Sequence, residues 1–474
     1  KFTLDPYDNL TGGTTYKTRV TTGVKDTSGN ALSSQYDNST GFTTSSASAS
    51  SATAISLGSF HTCMLDNGSV KCWGRNNYGQ LGIDNTTDMG DGAGEMALIP
   101  TVNLGTGRTA TAISAGYGHT CAILDNASVK CWGRNNQAQL GIDNTTNMGD
   151  GSGEMAALPS IDLGTGRTAT AIATGNYHTC ALLDNASVKC WGNGGYGQLG
   201  LDNNTKMGDA AGEMAALPSI DLGTGRTATA IATGYYHSCA LLDDGSVKCW
   251  GFNAKGQLGI DNTTNMGTSQ GDMAQLTGIN LGTGRTATAI GAAVNNTCAL
   301  LDNASVKCWG DNYYGQLGIN NETTMGDGSG EMAQLSGINL GTGRTATAIS
   351  VGYYHSCALL DNASVKCWGK NGNGQLGLES TTYMGNGTGE MAQLTGINLG
   401  TDRTATAISA GMEHSCALLD NASVKCWGDN DYGQLGIDNT TTMGDGSGEM
   451  SALPTVNLGT GRTATAIAVE HFHS

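Results

Sequence analysis

The sequence predicts an all-β protein built as a β-propeller, and three observations lead to this prediction. A unit with a period of 59 residues, or 58 at the first step, occurs seven times along the chain. Every copy carries a Cys–turn–Cys–Trp hairpin, most clearly from Cys239 to Trp250. Glycine supplies 73 of the 474 residues, proline only 5, and no long segment has a helical apolar period. A long fixed period indicates units that bury apolar faces against their neighbours, and many short strands joined by tight turns are typical of a propeller.

Each unit is predicted to hold four strands, which the second copy shows in order. The first strand is 111–116, the second is 119–125 and the third is 128–133. A long loop rich in Gly, Asn and Asp then leads to a fourth strand at 158–164. Four strands per unit, repeated seven times, predict blades that pack face to face and leave few free sheet edges.

The cysteines of each hairpin are predicted to face each other across the strand pair. Pairing Ile123 with Val129 leaves the turn 125–127 and places Cys121 opposite Cys131. Opposed β-carbons in an antiparallel pair lie close enough for a disulfide after modest twisting. The predicted bonds are Cys63–Cys72, Cys121–Cys131, Cys180–Cys190, Cys239–Cys249, Cys298–Cys308, Cys357–Cys367 and Cys416–Cys426.

The first hairpin is one residue shorter than the others, and its turn compensates for the deletion. Asn67-Gly68 is a two-residue turn of the type that fits strand twist, and Cys63 still faces Cys72. Seven disulfides predict an oxidising compartment, and therefore a secreted or cell-surface protein. The alternative is seven pairs of small, buried thiols. Zinc binding is disfavoured because the chain has no CxxC pair.

Charge excludes several function classes. The net charge is −17 and is spread through the repeats, so binding to nucleic acid is disfavoured and a soluble monomer is favoured. No apolar run approaches 18 residues, so no membrane span is predicted. The chain begins at Lys1 and stops inside a repeat, which we interpret as a piece of a longer protein.

The repeat resembles a known family. The hairpin is preceded by Gly-x-x-His, as in Gly234–His237, and followed by Asn-x-x-Gly-Gln-Leu-Gly, as in Asn312–Gly318. This pattern resembles the regulator of chromosome condensation repeat and implies a seven-bladed propeller of four-stranded blades over residues 52–474. The linker before the fourth strand is longer than the family pattern, and the cysteine pairs resemble secreted bacterial members rather than nuclear ones.

Residues 1–45 are different and resemble the C-terminal part of a bacterial Ig-like domain, which implies a β-sandwich fragment. The resemblance is carried by 10–16, 23–32 with the turn motif Asp26-x-x-Gly29-Asn30, and 41–44. Residues 46–51 are a Ser/Ala-rich run and predict a flexible linker. Residues 463–474 begin an eighth repeat, interpreted as a closing strand, a surplus strand or the start of another blade.

Candidate chemistry is sparse. The histidine of Gly-x-x-His recurs in six hairpins and is predicted to hold a turn within its own blade. Asp143, Asn147, Asp150 and Glu154 have the oxygen ligands of a weak calcium-loop candidate, but Met148 stands where that motif needs Gly. No catalytic set recurs at a workable spacing, so neither an enzyme nor a cofactor is expected. The arginine that recurs once per unit, such as Arg167, is predicted to pair with acidic loops between blades.

Positions that differ between copies are free to serve a partner. They precede the histidine and follow Trp-Gly, and many of them are aromatic, as protein-binding surfaces often are. The predicted partner-binding residues are Tyr117, Tyr177, Tyr235, Tyr236, Phe252, Tyr313, Tyr353 and Tyr354. Neutral variation on exposed loops is the alternative.

Together these features predict a non-enzymatic, extracellular protein-binding or adhesion scaffold, secreted or on a bacterial surface, whose ligand is an unknown protein or cell-surface molecule. A structural spacer or filament element of a giant surface protein is the alternative. A guanine-nucleotide exchange or chromatin-binding factor is less favoured because of the acidity, the disulfides and the Ig-like neighbour.

Overall fold

A computed structural model describes residues 15–16, 19–20, 36–37, 42–43, 52–92, 94–458 and 462–470. The chain divides into two compact units, residues 1–51 and residues 52–474. In the first unit, β1 (Thr15–Tyr16) pairs antiparallel with β4 (Phe42–Thr43), and β2 (Arg19–Val20) with β3 (Tyr36–Asp37). The predicted turn motif at 26–30 and the predicted linker at 46–51 lie outside the described residues.

The described residues of the second unit form seven antiparallel sheets, each with its strands in chain order. The first strands are β5 (Ala52–Leu57), β8 (Ala110–Ala115), β11 (Ala169–Thr174), β14 (Ala228–Thr233), β17 (Ala287–Ala292), β20 (Ala346–Val351) and β23 (Ala405–Ala410). The second strands are β6 (His61–Asp66), β9 (His119–Leu124), β12 (His178–Leu183), β15 (His237–Leu242), β18 (Asn296–Leu301), β21 (His355–Leu360) and β24 (His414–Leu419). The third strands are β7 (Ser69–Gly74), β10 (Val129–Gly133), β13 (Val188–Gly192), β16 (Val247–Gly251), β19 (Val306–Gly310), β22 (Val365–Gly369) and β25 (Val424–Gly428).

Hairpin register agrees with the sequence prediction. Val129 pairs with Ile123 and Cys131 with Cys121, and the same opposition of cysteines occurs in all seven sheets. All seven predicted disulfides are formed. In the shortened first hairpin, Asn67 has φ 47° and Gly68 has φ 82°, which is the left-handed pair that a two-residue turn between twisted strands requires.

The sheets have three strands, whereas four were predicted. The segment 158–164 is not a strand and touches the third strand mainly through the Ile161 nitrogen, which donates to the Val129 oxygen at 2.8 Å. Its buried apolar residues are Leu158, Ile161 and Leu163, and a spacing of three and then two does not match the two-residue period of a strand. At the end of the same third strand, Gly133 forms an isolated antiparallel bridge with Met148.

A single helical turn lies in the long loop of each repeat. The first is a 3-10 turn at Glu95–Leu98. The others are α1 (Glu154–Ala157), α2 (Glu213–Ala216), α3 (Asp272–Gln275), α4 (Glu331–Gln334), α5 (Glu390–Gln393) and α6 (Glu449–Ala452). The acidic first residue of the turn accepts backbone hydrogen bonds from the preceding loop, as Glu154 does from Gly149 and Gly151 at 2.8 Å.

Consecutive sheets bury a shared core. In one such core, Cys121 and Cys131 of the second sheet pack with Trp191 of the third, and all three side chains are fully buried. The indole nitrogen of Trp191 donates to the Gln139 carbonyl oxygen of the preceding repeat at 3.1 Å. Five other tryptophans do the same, namely Trp132, Trp250, Trp309, Trp368 and Trp427. Trp73 of the first repeat is instead partly exposed.

The repeated histidines link neighbouring blades, which corrects the prediction that they hold a turn within one blade. His178 Nε2 lies 2.9 Å from Ser238 Oγ of the next repeat. Ser238 Oγ in turn donates to the Gln198 carbonyl oxygen at 2.9 Å, so its only hydroxyl proton is used and the imidazole must donate. The same arrangement joins His61 to Thr120, His119 to Thr179, His237 to Thr297 and His355 to Ser415. A contact of this kind joins residues about one period apart, which no local pattern reveals.

The recurring arginines pair with aspartates, although not between blades. Arg167 lies 3.4 Å from Asp184 in the hairpin turn of the sheet that it precedes, and five further repeats form the equivalent pair. Both partners are more than one-third exposed, so each pair stabilises the fold by no more than about 1 kcal/mol.

Residues 462–470, the start of the eighth repeat, cover the seventh sheet. The Ala464 nitrogen donates to the Ala422 oxygen at 2.8 Å, as Ala405 does to Ala363 one repeat earlier. Val469 is buried against the core of the seventh sheet, beside Ile467. The segment therefore lies where the first strand of a further sheet would lie, but it does not have strand structure.

Candidate functional site

The two variable loops of each repeat are fixed side by side by a backbone hydrogen bond. The residue after Trp-Gly donates its nitrogen to the carbonyl oxygen of the residue before the histidine, as Asn193 does to Tyr177 at 2.9 Å. The equivalent bond joins Arg75 to Phe60 and Lys370 to Tyr354. Because backbone atoms make this bond, both side chains can change without loss of the geometry. The variable positions of one repeat therefore form one surface.

Aromatic rings from consecutive repeats contact each other across this surface. Starting from Phe60, the ring centroids are 5.2 Å apart to Tyr117, 5.6 Å from there to Tyr177, and 6.4 Å from there to Tyr236. Tyr235 lies 4.7 Å from Tyr236. These separations lie in the range in which aromatic pairs attract each other.

The same network continues into the fifth and sixth repeats. Tyr235 lies 6.5 Å from Tyr353, and Tyr353 lies 6.3 Å from Tyr354. Tyr314 then contacts Tyr354 at 5.2 Å and Tyr313 at 4.9 Å. Tyr196, Phe252 and Tyr383 join the network from its sides. We call this connected set of rings, from Phe60 to Tyr313 with its side members, the aromatic face.

Cations lie over several of these rings. The Arg134 guanidinium carbon is 4.8 Å from the centroid of Tyr78, 5.1 Å from Tyr177 and 5.8 Å from Tyr117. Lys370 Nζ is 5.1 Å from Tyr354 and 5.6 Å from Tyr314. Such contacts hold both the ring and the cation in place.

The acidic end of the surface belongs to the seventh repeat. Glu413 precedes His414 there and forms an ion pair with Lys370, and its other oxygen accepts a hydrogen bond from Gln375 at 2.6 Å. Burial disfavours the charge on Lys370, but the hydrogen bond and the charge of Glu413 outweigh it, so the pKa of Lys370 is raised.

Every aromatic residue predicted to bind a partner belongs to the aromatic face. Among its members, Tyr313 is 67% exposed and Tyr196 is 40% exposed, so part of this apolar surface is open to solvent. The predicted binding set lacked four members of the face, namely Phe60, Tyr196, Tyr314 and Tyr383, and also Tyr78, whose ring lies under Arg134. Tyr78 and Tyr314 stand two residues before the recurring Gln, a position that varies between repeats, and this variation is the signal that could have found them.

The calcium candidate does not assemble. Both Asp143 oxygens accept backbone hydrogen bonds from the next repeat, at Gly212 and Met214. Asn147 bonds to Asn135 and to Asp150, while Glu154 caps its own loop. The side-chain oxygens of Asp143, Asn147 and Glu154 thus already accept hydrogen bonds from different segments of the protein. In the described part of the chain, no group of three or more His, Cys, Asp or Glu residues could hold a metal ion.

The repeated histidines also have a structural role, because they bond to the next repeat. His178 and His355 are fully buried, and burial lowers their pKa to about 3. Each ring is neutral, donates its Nε2 proton to the next repeat and keeps its Nδ1 buried. The second unit thus combines a constant scaffold with a surface of variable residues.

Comparison with known proteins identifies the repeats. The regulator of chromosome condensation (RCC1) repeat matches residues 52–80, 110–139, 169–198, 228–257, 288–316, 346–375 and 405–434, and a second profile of that repeat matches 67–123 and 187–241. Together these segments cover more than half of the chain. A bacterial Ig-like domain matches residues 1–44.

Curated relatives share the repeat at moderate identity. The chain is 26% identical over 386 residues to the ultraviolet-B receptor UVR8 of Arabidopsis thaliana, covering 81% of this chain and 78% of that protein. It is 29% identical over 272 residues to the human E3 ubiquitin-protein ligase HERC2, covering 57% of this chain but only 5% of that protein.

Solved structures share the propeller fold. Human WBSCR16 is similar with a TM-score of 0.61 and 19% identity over 84% of this chain and 95% of that one. Prp20p of Saccharomyces cerevisiae is similar with a TM-score of 0.56 and 19% identity over 76% of this chain and 80% of that one. No helix in the described part of the chain is long and apolar enough to cross a membrane. The matched repeats and the shared architecture show that this chain belongs to the regulator of chromosome condensation repeat family, with a bacterial Ig-like domain before the propeller.

Proposed function

We propose that this protein is a non-enzymatic, extracellular scaffold that binds a protein or another cell-surface ligand through its aromatic face. The observation that carries the proposal is the continuous set of rings from Phe60 to Tyr313, held on the variable positions of consecutive repeats. Tyrosine supplies large contact area at low entropic cost, and interfaces are enriched in Tyr and Arg. The aromatic face has this composition, because most of its rings are tyrosines and Arg134 lies over Tyr177.

The cysteines support an oxidising compartment for the protein. Seven disulfides lie inside the hairpins, and reducing compartments do not maintain such bonds. Together with a bacterial Ig-like domain at residues 1–44, they support a secreted or surface-exposed bacterial protein. A nucleotide-exchange or chromatin-binding role is therefore the less favoured candidate, although Prp20p, which shares the fold, was described together with its binding to Gsp1p and histones.

A spacer or filament element is the alternative, and the near-identity of the hairpins favours it. A spacer needs the constant core but has no use for rings whose contacts cross from one repeat to the next. The two functions differ in what happens when the rings are removed and the core is kept.

The test captures surface and secreted proteins of the source organism on the immobilised full chain in its oxidised form. Wild type is compared with Y177A/Y236A and with the matched control Y177F/Y236F, which keeps both rings. A binding scaffold retains one defined protein on wild type and on the Phe variant and loses it on the Ala variant. Equal capture by all three variants would remove the aromatic face as the binding site, and no specific capture by any variant would favour the spacer.

A further inference from the structure

A cavity of about 200 Å³ is lined in part by Tyr117, Tyr235 and Tyr353 of the aromatic face. Its lining includes the residue that follows the recurring glycine, or Ala293 in the fifth repeat, namely Ser59, Tyr117, Asn176, Tyr235, Val294 and Tyr353. These residues come from six consecutive repeats, so the cavity lies where the first strands of the sheets converge. Its volume is below that of pockets for drug-sized ligands and far above the space that one water needs.

The glycines make this cavity possible. A Cβ on Gly116 would lie 2.6 Å from the carbonyl oxygen of Gly175 in the next repeat. The first strands therefore approach each other so closely that only the following residue can project into the central space. The position of the glycine itself is taken by Ala293 in the fifth repeat and by Glu470 at the start of the eighth repeat.

Glu470 brings a negative charge to this ring of small residues. Its carboxylate lines the cavity and accepts a hydrogen bond from the Tyr353 hydroxyl at 3.4 Å. Tyr353 is mostly buried, and its burial followed by the charge of Glu470 raises its pKa, so the hydroxyl stays protonated. The carboxylate is thus held at the cavity by a neutral donor.

Asn176 is a second and independent indication of a ligand. Its side chain is only 4% exposed, and neither its amide oxygen nor its amide nitrogen has a partner in hydrogen-bond geometry. Burial raises the pKa values of Tyr235 and Tyr236, and an interaction with the Asn176 side chain opposes this rise, so both hydroxyls lie near the amide. A buried amide without a partner costs about 1–3 kcal/mol, so a ligand that bonds to it is favoured.

We propose that this cavity binds an alkylammonium group, presented either by a lysine side chain of a partner protein or by a free amine. The ammonium would donate to the Asn176 amide oxygen and to the Glu470 carboxylate. The rings of Tyr235 and Tyr353 would contact its methylenes and its charge. The lysine source rests on the proposed binding function, whereas the cavity itself does not. A net charge of −17 favours the approach of cations from either source.

The test is a ligand-observed NMR titration of the full chain with N-acetyl-lysine methylamide. N-acetyl-norleucine methylamide, which lacks the ammonium, is the matched neutral probe. We expect broadening and an upfield ring-current shift of the ε-methylene protons of the lysine probe and no effect on the norleucine probe. E470Q should weaken binding of the lysine probe at least tenfold, because an ammonium would lose its buried counter-charge.

D431N is the matched control variant, because it also removes one negative charge but from an exposed side chain outside the cavity. It should bind within twofold of wild type, and both variants should melt within a few degrees of wild type. Equal binding of the two probes, or equal loss in E470Q and D431N, would overturn the proposal. If n-butylammonium binds as well as the lysine probe, the ligand is a free amine; a clear preference for the lysine probe indicates a protein side chain. Because this titration uses no partner protein, its failure is distinct from failure of the capture experiment.

Discussion

The backbone nitrogen of Phe252 donates a 3.0 Å hydrogen bond to the carbonyl oxygen of Tyr236. This bond joins the loop after the third strand to the loop before the second strand, and its equivalent occurs in every repeat. Each of the two loops carries a variable side chain on a constant backbone. A fold of this kind separates stability from recognition, since the hairpin and the interblade bonds do not depend on which residues project from the loops.

The cations over the rings should stabilise the aromatic face in proportion to the number of rings that they contact. Arg134 lies over three rings, whereas Arg75 lies only over Phe60 at 5.3 Å. We expect R134Q to lower the free energy of unfolding by about 1–2 kcal/mol and R75Q by about 0.5 kcal/mol. Urea unfolding of both variants measures the difference. Equal effects would mean that the guanidinium does not act through the rings.

The interblade tryptophans should matter more than the tryptophan of the first repeat. Trp191 is fully buried and donates to the Gln139 carbonyl oxygen, while Trp73 is partly exposed. We expect W191F to destabilise the fold by about 1–3 kcal/mol, because it loses this hydrogen bond and buried volume. W73F, with the same change in chemistry, should cost less than about 1 kcal/mol. Thermal melting compares the two, and a larger effect of W73F would contradict the interblade contact.

The buried histidines predict a loss of stability in mild acid. Burial lowers the pKa of His119, His178 and His355 to about 3 and that of His237 to about 4. An unfolded histidine has a pKa of about 6.5, so between these values the unfolded chain binds more protons than the folded one. The contribution of these histidines to the free energy of unfolding is therefore fully present above about pH 6.5. It is lost as the pH falls toward 4, by about 1.4 kcal/mol per histidine and pH unit.

H178N is the control for this pH dependence, because the fifth repeat already has Asn296 at the equivalent position. The variant should fold and show a shallower decrease of the urea midpoint between pH 6.5 and 5. That window lies above the ordinary range of carboxylates, so it isolates the histidines. An unchanged slope in H178N would show that His178 is charged in the folded state.

The disulfides should be complete in native material and should each stabilise the fold. We expect no free thiol among the 14 cysteines in a denaturing, non-reducing thiol assay. The C180A/C190A variant should lose about 2–3 kcal/mol, since the bond closes a loop with a sequence separation of 10. Fourteen free thiols in native material would contradict the proposed extracellular location.

Local contacts were predictable from the sequence, and contacts one repeat apart were not. The opposition of Cys121 and Cys131 follows from hairpin register alone, and the turn at Asn67-Gly68 follows from its residue types. The histidine bond to the next repeat and the missing fourth strand depend on how sheets pack, which the period does not specify. Variation between copies located the aromatic face, but Tyr383 was missed because it lies in the long loop rather than beside a hairpin.

The central claim is that the aromatic face is where a partner binds, and site-specific photo-crosslinking tests it most directly. Tyr313 and Leu98 are exposed to similar extents, 67% and 75%, but only Tyr313 belongs to the aromatic face. A photoreactive phenylalanine is placed at either position in the full chain, which is then irradiated with the protein captured by wild type. The account predicts one defined adduct from position 313 and none from position 98. Adducts of equal yield from both positions, or an adduct from position 98 alone, would contradict it.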